Sequence, residues 1–134
     1  MGLCNRLKDD LIIARAGTTG VSILVDRQLS NVVFGSYLIK VKLKEGIFPK
    51  FAHYFFQSNS YWNHITSSQA GSTLKNINLP ILRSLTIPLP PLPEQRKIAE
   101  ILARMIEIQR AYDQGQAFLE ELKKGLMQVL LTGK

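Results

Sequence analysis

The sequence predicts an α/β (α+β) globular part followed by one long C-terminal α-helix that forms a coiled coil. Three observations carry this. From Ile98 to Val129, apolar side chains recur in alternating steps of three and four, at Ile98, Ile101, Met105, Ile108, Tyr112, Leu119, Leu122, Leu126 and Val129. Gly115 is the one default in that seam. Before Pro88, in contrast, short apolar runs are separated by Gly, Pro, Asn and Ser, the punctuation of strands and short helices. The charge divides at the same place: of the net +7, residues 1–92 carry +6 and residues 93–134 carry +1.

Along the globular part, Asp10 to Ala14 reads as a short strand and Val21 to Val25 as a second, joined by Gly17-Thr18-Thr19-Gly20. Asp26 to Ser30 is a turn. Tyr37 to Leu43 is the clearest strand, and its alternation places Lys40, Lys42 and Lys44 on one solvated face. Pro49 to Gln57 has helical spacing with proline at its start, and Tyr61 to Ile65 forms a second helical turn. The aromatics Phe51, Tyr54, Phe55 and Trp62 are read as core; a base-stacking platform is the alternative. Thr66 to Asn76 is a polar loop, too rich in hydroxyls to be buried and of the kind in which binding residues collect. Leu79 to Arg83 starts a short helix, Leu85 to Pro88 is expected as an edge strand closed by proline, and the prolines that follow form a stiff hinge.

The long helix is expected to begin at Pro93, where no backbone donor is needed, with Glu94 in its first turn and Lys123 and Lys124 near its other end. From Glu94 to Leu130 it would measure roughly 55 Å at about 1.5 Å per residue. Each seam residue withdrawn from water contributes roughly 1.5 to 3 kcal/mol, so the stripe demands a helical partner. A second copy supplies one in an antiparallel pair, giving a homodimer. Gly115 and Gly125 each cost about 1 kcal/mol against alanine. A turn at Tyr112-Asp113-Gln114-Gly115, folding the segment into a helical hairpin, stands as the alternative.

Composition bounds the function. No apolar run is long enough to span a bilayer. Arg6, Lys8, Asp9 and Asp10 interrupt the place where a secretory leader would need an apolar stretch, so a cytoplasmic protein is expected. One cysteine, Cys4, excludes an internal disulfide framework and a cysteine-based metal cluster, and His53 and His64 lack nearby ligands for a metal. A basic globular part joined to a near-neutral heptad part suggests a polyanion for the first and protein for the second; a solubility surface is the plainer account of the charge. No phosphate loop, nuclease-type acid pair or methyl-donor glycine motif is present, so no catalytic residue is assigned and the chain is read as not an enzyme.

The segment PLPPLPEQRKIAEIL, followed by a helix ending in LKKGLMQVLLTGK, resembles the specificity subunits of type I restriction-modification enzymes. LIIARAGTTG, NVVFGSYLIKVK and AGSTLKNINLPILRSLTIPLP are similar to the later part of a target-recognition domain in that family. The resemblance covers nearly the whole chain, with PLPPLPEQ joined to the helix its most specific element. It implies a partial DNA target-recognition domain over residues 1–92 and a spacer and dimerisation helix over 93–134. The domain would read half of a bipartite site in double-stranded DNA, and the helix would act as a ruler and dock methyltransferase (modification) subunits. S-adenosylmethionine and ATP would be bound by partner subunits, with no cofactor on this chain and no membrane involved. The chain corresponds to half a specificity subunit with a shortened domain, leaving the Leu11–Ala14 strand with an unpaired edge. With about 34 Å per turn of duplex, a rod of roughly 50 Å separates half-sites by somewhat more than one turn.

Within this reading Gly17, Thr18, Thr19 and Gly20 offer backbone N–H groups to a phosphate, with Arg15 adding charge; a tight strand connection explains the same residues. The Gly71 to Asn76 loop is the candidate base reader, through Ser72, Thr73, Lys75 and Asn76, because lysine meets guanine acceptors and asparagine pairs with adenine. Lys40, Lys42, Lys50 and Arg83 are assigned to phosphates, giving affinity and salt dependence without sequence information. Two rivals remain. One is a coiled-coil scaffold or regulator that binds the methyltransferase subunit without reading DNA; the other is a small enzyme using His53 or His64 in a pocket.

Overall fold

The structure is a computed structural model that describes residues 3, 4, 8–29, 32, 33, 35–73 and 75–132. Arg6, Ser30 and Leu74, which enter the expectations above, lie outside the described residues. Contacts divide the chain into two compact units, Met1–Ala99 and Glu100–Lys134.

In the first unit a three-stranded antiparallel sheet has the order β3-β2-β5, with β2 at Leu11–Ala14, β3 at Ser22–Leu24 and β5 at Leu38–Val41. A separate ladder pairs β1, Leu3–Cys4, with β4, Val32–Val33. The apolar run Leu11, Ile12, Ile13 is buried on both faces, as suits a central strand. The expectation of an unpaired edge on this strand is therefore wrong: β3 closes one side by a hairpin and β5 the other, and among the described residues the outer strands of the sheet are β3 and β5. Register places Leu11 and Ile13 beside Leu24, Ser22, Val41 and Ile39 on one face, while Ile23 on the other is 62% exposed.

Helices cover the inner face. Pro49 opens α1, Pro49–Phe55, in the position its missing N–H suits. The second helix, α2, runs Asn59–Ser68 from a Ser58 cap and is longer than the single turn expected. Thr66 and Ser68, read as loop, stay helical because their hydroxyls donate to the carbonyls of Trp62 and His64 one turn back, both at 2.7 Å. A short α3, Leu79–Arg83, is capped by Asn78, whose Oδ1 accepts from the Ile81 N–H at 3.1 Å. Leu11, Ile13, Ala52, Phe56, Tyr61, Ile65 and Ile77 form the buried cluster. Of the aromatics read as core, Phe51 is buried and Phe55 and Trp62 pack against the cluster, while Tyr54 is half-buried outside it. Burial of each large member contributes roughly 1.5 to 3 kcal/mol.

Leu85 to Pro88 does not join the sheet. Proline has no N–H for a ladder, and the Leu85 N–H turns back to the Leu82 carbonyl at 3.2 Å. Leu85 and Ile87 still pack against the core while Thr86 and Pro88 face out, so the segment keeps strand-like alternation without strand pairing.

The last helix, α4, spans Leu92–Thr132, so Pro93 falls at its second position. Its first turns belong to the globular unit. Gln95 is buried there: its Oε1 accepts from the Phe48 N–H at 2.8 Å, and its Nε2 donates to the Gly46 and Pro90 carbonyls at 2.9 and 2.8 Å. The guanidinium of Arg96 stacks 4.8 Å from the Phe48 ring centre.

The second unit is helical from Glu100 to Thr132 and passes through Gly115 and Gly125 unbroken, so the hairpin alternative is not adopted. Ile101, Met105, Ile108, Tyr112, Leu119, Leu122, Leu126 and Val129 are all exposed, Ile108 by 70%. The buried residues of the first turns, Gln95 and Ala99, are not seam residues, and Ile98 is half-buried. At about 100° per residue, Gln95 and Ala99 share a face that the seam positions Ile101 and Met105 do not. No helix among the described residues is long and apolar enough to cross a membrane.

Candidate nucleic-acid interface

The β2–β3 hairpin and the polar loop after α2 are distant in sequence and joined in space. The Thr19 hydroxyl donates to the Lys75 carbonyl at 2.7 Å, and the Ile77 N–H donates to the Arg15 carbonyl at 3.1 Å. Arg15 is itself held from the other side by its N–H to the Tyr37 carbonyl at 2.7 Å. Arg15, Gly17, Thr19, Lys75 and Asn76 are thereby brought to one end of the unit. Gly17, Thr18, Ser72, Thr73, Lys75 and Asn76 are exposed there, as a binding loop requires.

Gly17 and Gly20 have φ of +80° and +92°, the left-handed region that glycine tolerates. Gly20 is buried, its N–H is bonded to the Ala14 carbonyl at 2.9 Å, and a Cβ on it would lie 2.8 Å from the Trp62 ring. Its carbonyl accepts from the buried Tyr61 hydroxyl at 2.8 Å. The tight-connection account therefore explains Gly20, whose donor is not free for a phosphate. Burial pushes the Tyr61 hydroxyl up to about 12.

Two pockets flank the hairpin. The first, about 500 Å³, is lined by Gly17, Thr19, Trp62, Ile65, Thr66, Gln69, Ala70 and Lys75. The second, about 510 Å³, is lined by Arg15, Ser36, Leu38, Ile39, Lys40, Asn78, Leu79 and Pro80. Lys42 and Arg83 are exposed but belong to neither. Lys40 departs from the solvated face expected for it: it is half-buried, and its ammonium lies 2.9 Å from the Asp10 carboxylate. Part of its charge is therefore already matched within the sheet.

The histidines have structural roles in view. His64 Nε2 lies 2.9 Å from the Ile81 carbonyl oxygen and 3.1 Å from the Ser84 hydroxyl, tying α2 to α3. His53 Nε2 lies 2.9 Å from Gln57 Nε2, and burial lowers the His53 pKa. Among the described residues no group of three or more His, Cys, Asp or Glu is placed to hold a metal. Sequence reasoning missed Thr66, Gln69 and Ala70 as pocket residues because the fold's use of Thr66 to Ser68 as helix was not read. The available clue was Gly71, which has φ of +85° and closes a turn after α2.

Against this geometry stand the comparisons. The family model for the type I restriction modification DNA specificity domain matches residues 3–117. The chain belongs to that family. It is 30% identical over 105 residues to the EcoKI specificity subunit of Escherichia coli, covering 75% of this chain and 23% of the relative. With the MjaVIII specificity subunit of Methanocaldococcus jannaschii it shares 31% identity over 124 residues, 88% of this chain and 28% of the relative. With the StySPI specificity subunit of Salmonella potsdam it shares 27% over 104 residues, 75% of this chain and 22% of the relative. The chain thus spans about a quarter of the length of these relatives.

Proposed function

We infer that this chain is a non-catalytic DNA-recognition module of a type I restriction-modification system, contributing one half of a bipartite site. The observation that carries the reading is the joining of the hairpin tip to the 71–76 loop through Thr19 and Lys75, in a segment whose net charge is +6. Exposed loop residues held by a rigid sheet are what base-edge readout needs; Arg15 beside them supplies a phosphate contact, and Lys42 and Lys50, toward the other end of the sheet, add phosphate contacts of their own.

The heptad stripe carries the second part of the reading. Its exposed residues on α4 support pairing with a second copy in antiparallel fashion and docking of methyltransferase subunits. S-adenosylmethionine and ATP then belong to the partner subunits, which perform the methylation and cleavage. The competing reading, a scaffold that binds the methyltransferase subunit without reading DNA, draws on the same exposed stripe.

Selection from a randomised duplex pool at about 0.1 M salt, where weak non-specific contacts are partly suppressed, separates the two. An enriched gapped inverted repeat supports the recognition module. Retention without any motif, lost as salt rises, rejects it in favour of the scaffold.

A further inference from the structure

Gly115 is the one seam position that the chain's own fold does not explain. It sits in the interior of α4, where glycine is less stable than alanine, and a Cβ on it would meet nothing within 4 Å among the described residues. Space is kept where nothing in this chain uses it. Three residues earlier stands the largest seam residue, Tyr112, 63% exposed. Its hydroxyl accepts from Gln116 Nε2 on the same helix at 2.9 Å, so the ring can leave water without leaving its polar end unpaired.

The seam is complementary to itself about a point between Asp113 and Gln114. A two-fold axis there turns a second copy antiparallel, and Ile101 then faces Leu126 of the second copy, Met105 faces Leu122, Ile108 faces Leu119 and Tyr112 faces Gly115. The largest ring thus meets the one position without a side chain. Sliding the pair by one heptad sets Gly115 against Leu119 and Tyr112 against Leu122, an empty layer beside a crowded one. A parallel pair in register sets glycine against glycine and leaves that layer void. On the flanks the same axis brings Phe118 beside Ala111 of the second copy and Arg104 beside Gly125, so large again meets small and no cation meets a cation there. The eight exposed seam side chains, 47 to 70% accessible, together with Phe118 offer on the order of 800 Å² per copy, the amount a stable interface takes from each partner.

We propose that Gly115 is the hole that receives Tyr112 of a second copy, and that these two reciprocal contacts fix both the direction and the register of helix pairing. This rests on the pairing reading above and names the device within it. A glycine that weakens the lone helix is thereby matched to a ring that only a partner can bring.

The test uses the full chain, with self-association read by sedimentation equilibrium. Gly115→Leu fills the hole while improving helix propensity, and is expected to weaken association by roughly 10- to 100-fold because both layers of the pair become overpacked. Gly125→Ala, which improves propensity outside the seam, is expected to leave association within about threefold of the wild type. Adding Tyr112→Ala to Gly115→Leu exchanges large and small across the layer and is expected to recover most of the loss, to within about tenfold of the wild type. Register is read by oxidation in a Cys4→Ser background: Met105→Cys and Leu122→Cys chains form a covalent pair when mixed and not when either is alone.

Gly115→Leu associating as tightly as the wild type or more so, as helix propensity alone would have it, overturns the inference and leaves pairing intact. Covalent pairing of the Met105→Cys chain with itself also overturns it, because that places the helices parallel. A wild type that stays monomeric at every concentration takes down both the inference and the pairing on which it rests.

Discussion

Residues 1–99 and 100–134 solve the same problem in opposite ways. The first unit buries Leu11, Ile13, Phe56, Tyr61, Ile65 and Ile77 within itself, while the helix beyond Glu100 leaves Ile101, Met105, Ile108, Leu119, Leu122 and Leu126 in water. Both stretches are rich in apolar residues, so composition does not separate them; period does. A period of two, or a short unbroken run, lets a strand meet its neighbours in the same chain, whereas a period of 3.5 over four heptads creates a stripe that its own helix cannot cover. Self-sufficiency is thus a property of pattern, and the charge division follows it.

The sharpest way to break this comparison is to charge the stripe. Leu119→Asp combined with Leu122→Asp is expected to weaken helix association on the order of 100-fold or more, because each leucine withdrawn from water on pairing is worth roughly 1.5 to 3 kcal/mol. Sedimentation equilibrium reads it, while the melting temperature of the globular unit stays where it was. Unchanged association would mean that the stripe is not the pairing surface.

The converse change acts on the other unit. Ile13→Ala opens a cavity in the buried cluster and is expected to cost about 2 to 5 kcal/mol of stability by denaturant unfolding, with association through α4 untouched. A cost below about 1 kcal/mol would show that the cluster repacks and does not act as a rigid base.

Gln95 holds the first turns of α4 within the first unit and sharpens the distinction. Gln95→Ala strips partners from the Phe48 N–H and from the Gly46 and Pro90 carbonyls, with an expected loss of about 3 kcal/mol, on the scale of leaving buried polar groups unpaired. Hydrogen exchange should locate the loss at Phe48 and in the first turns of α4. Faster exchange confined to residues beyond 100 would contradict it.

The smallest effect is alkaline. Tyr61 is pushed up to about 12 by burial, above the ordinary value of 10.0. The unfolded chain therefore loses this proton first, so stability is full below about pH 10 and falls between there and about pH 12. Tyr61→Phe flattens that window and removes about 1 kcal/mol through the lost bond to the Gly20 carbonyl. Denaturant midpoints across the range check both, and a wild-type profile identical to that of the variant would refute the assignment.

Much of the framework was legible because its determinants are local. The β2–β3 hairpin is marked by glycines at the turn, α1 by Pro49, and the long helix by its heptads. Misreadings arose where two local tendencies compete. Thr66 and Ser68 look like loop until their hydroxyls are seen to satisfy carbonyls one turn back. Leu85 to Pro88 has strand-like alternation, but proline denies it a ladder.

The site was legible only in pieces. Loop and hairpin were both marked as polar and glycine-rich, yet the bond from Thr19 to Lys75 spans 56 positions and leaves no trace in spacing. Lys40 was read as a solvated cation because its partner, Asp10, lies on another strand end and becomes its neighbour only through the antiparallel register of β2 with β5.

All three partners of Gln95 are main-chain atoms. The hydrogen bonds that hold the first turns of α4 therefore depend on the path of the backbone at positions 46, 48 and 90, with the Arg96–Phe48 stacking as a side-chain contact beside them. Such a junction works as a standard socket. Loops elsewhere in the unit can change in sequence without touching these three bonds, so long as that backbone path and the glutamine are kept.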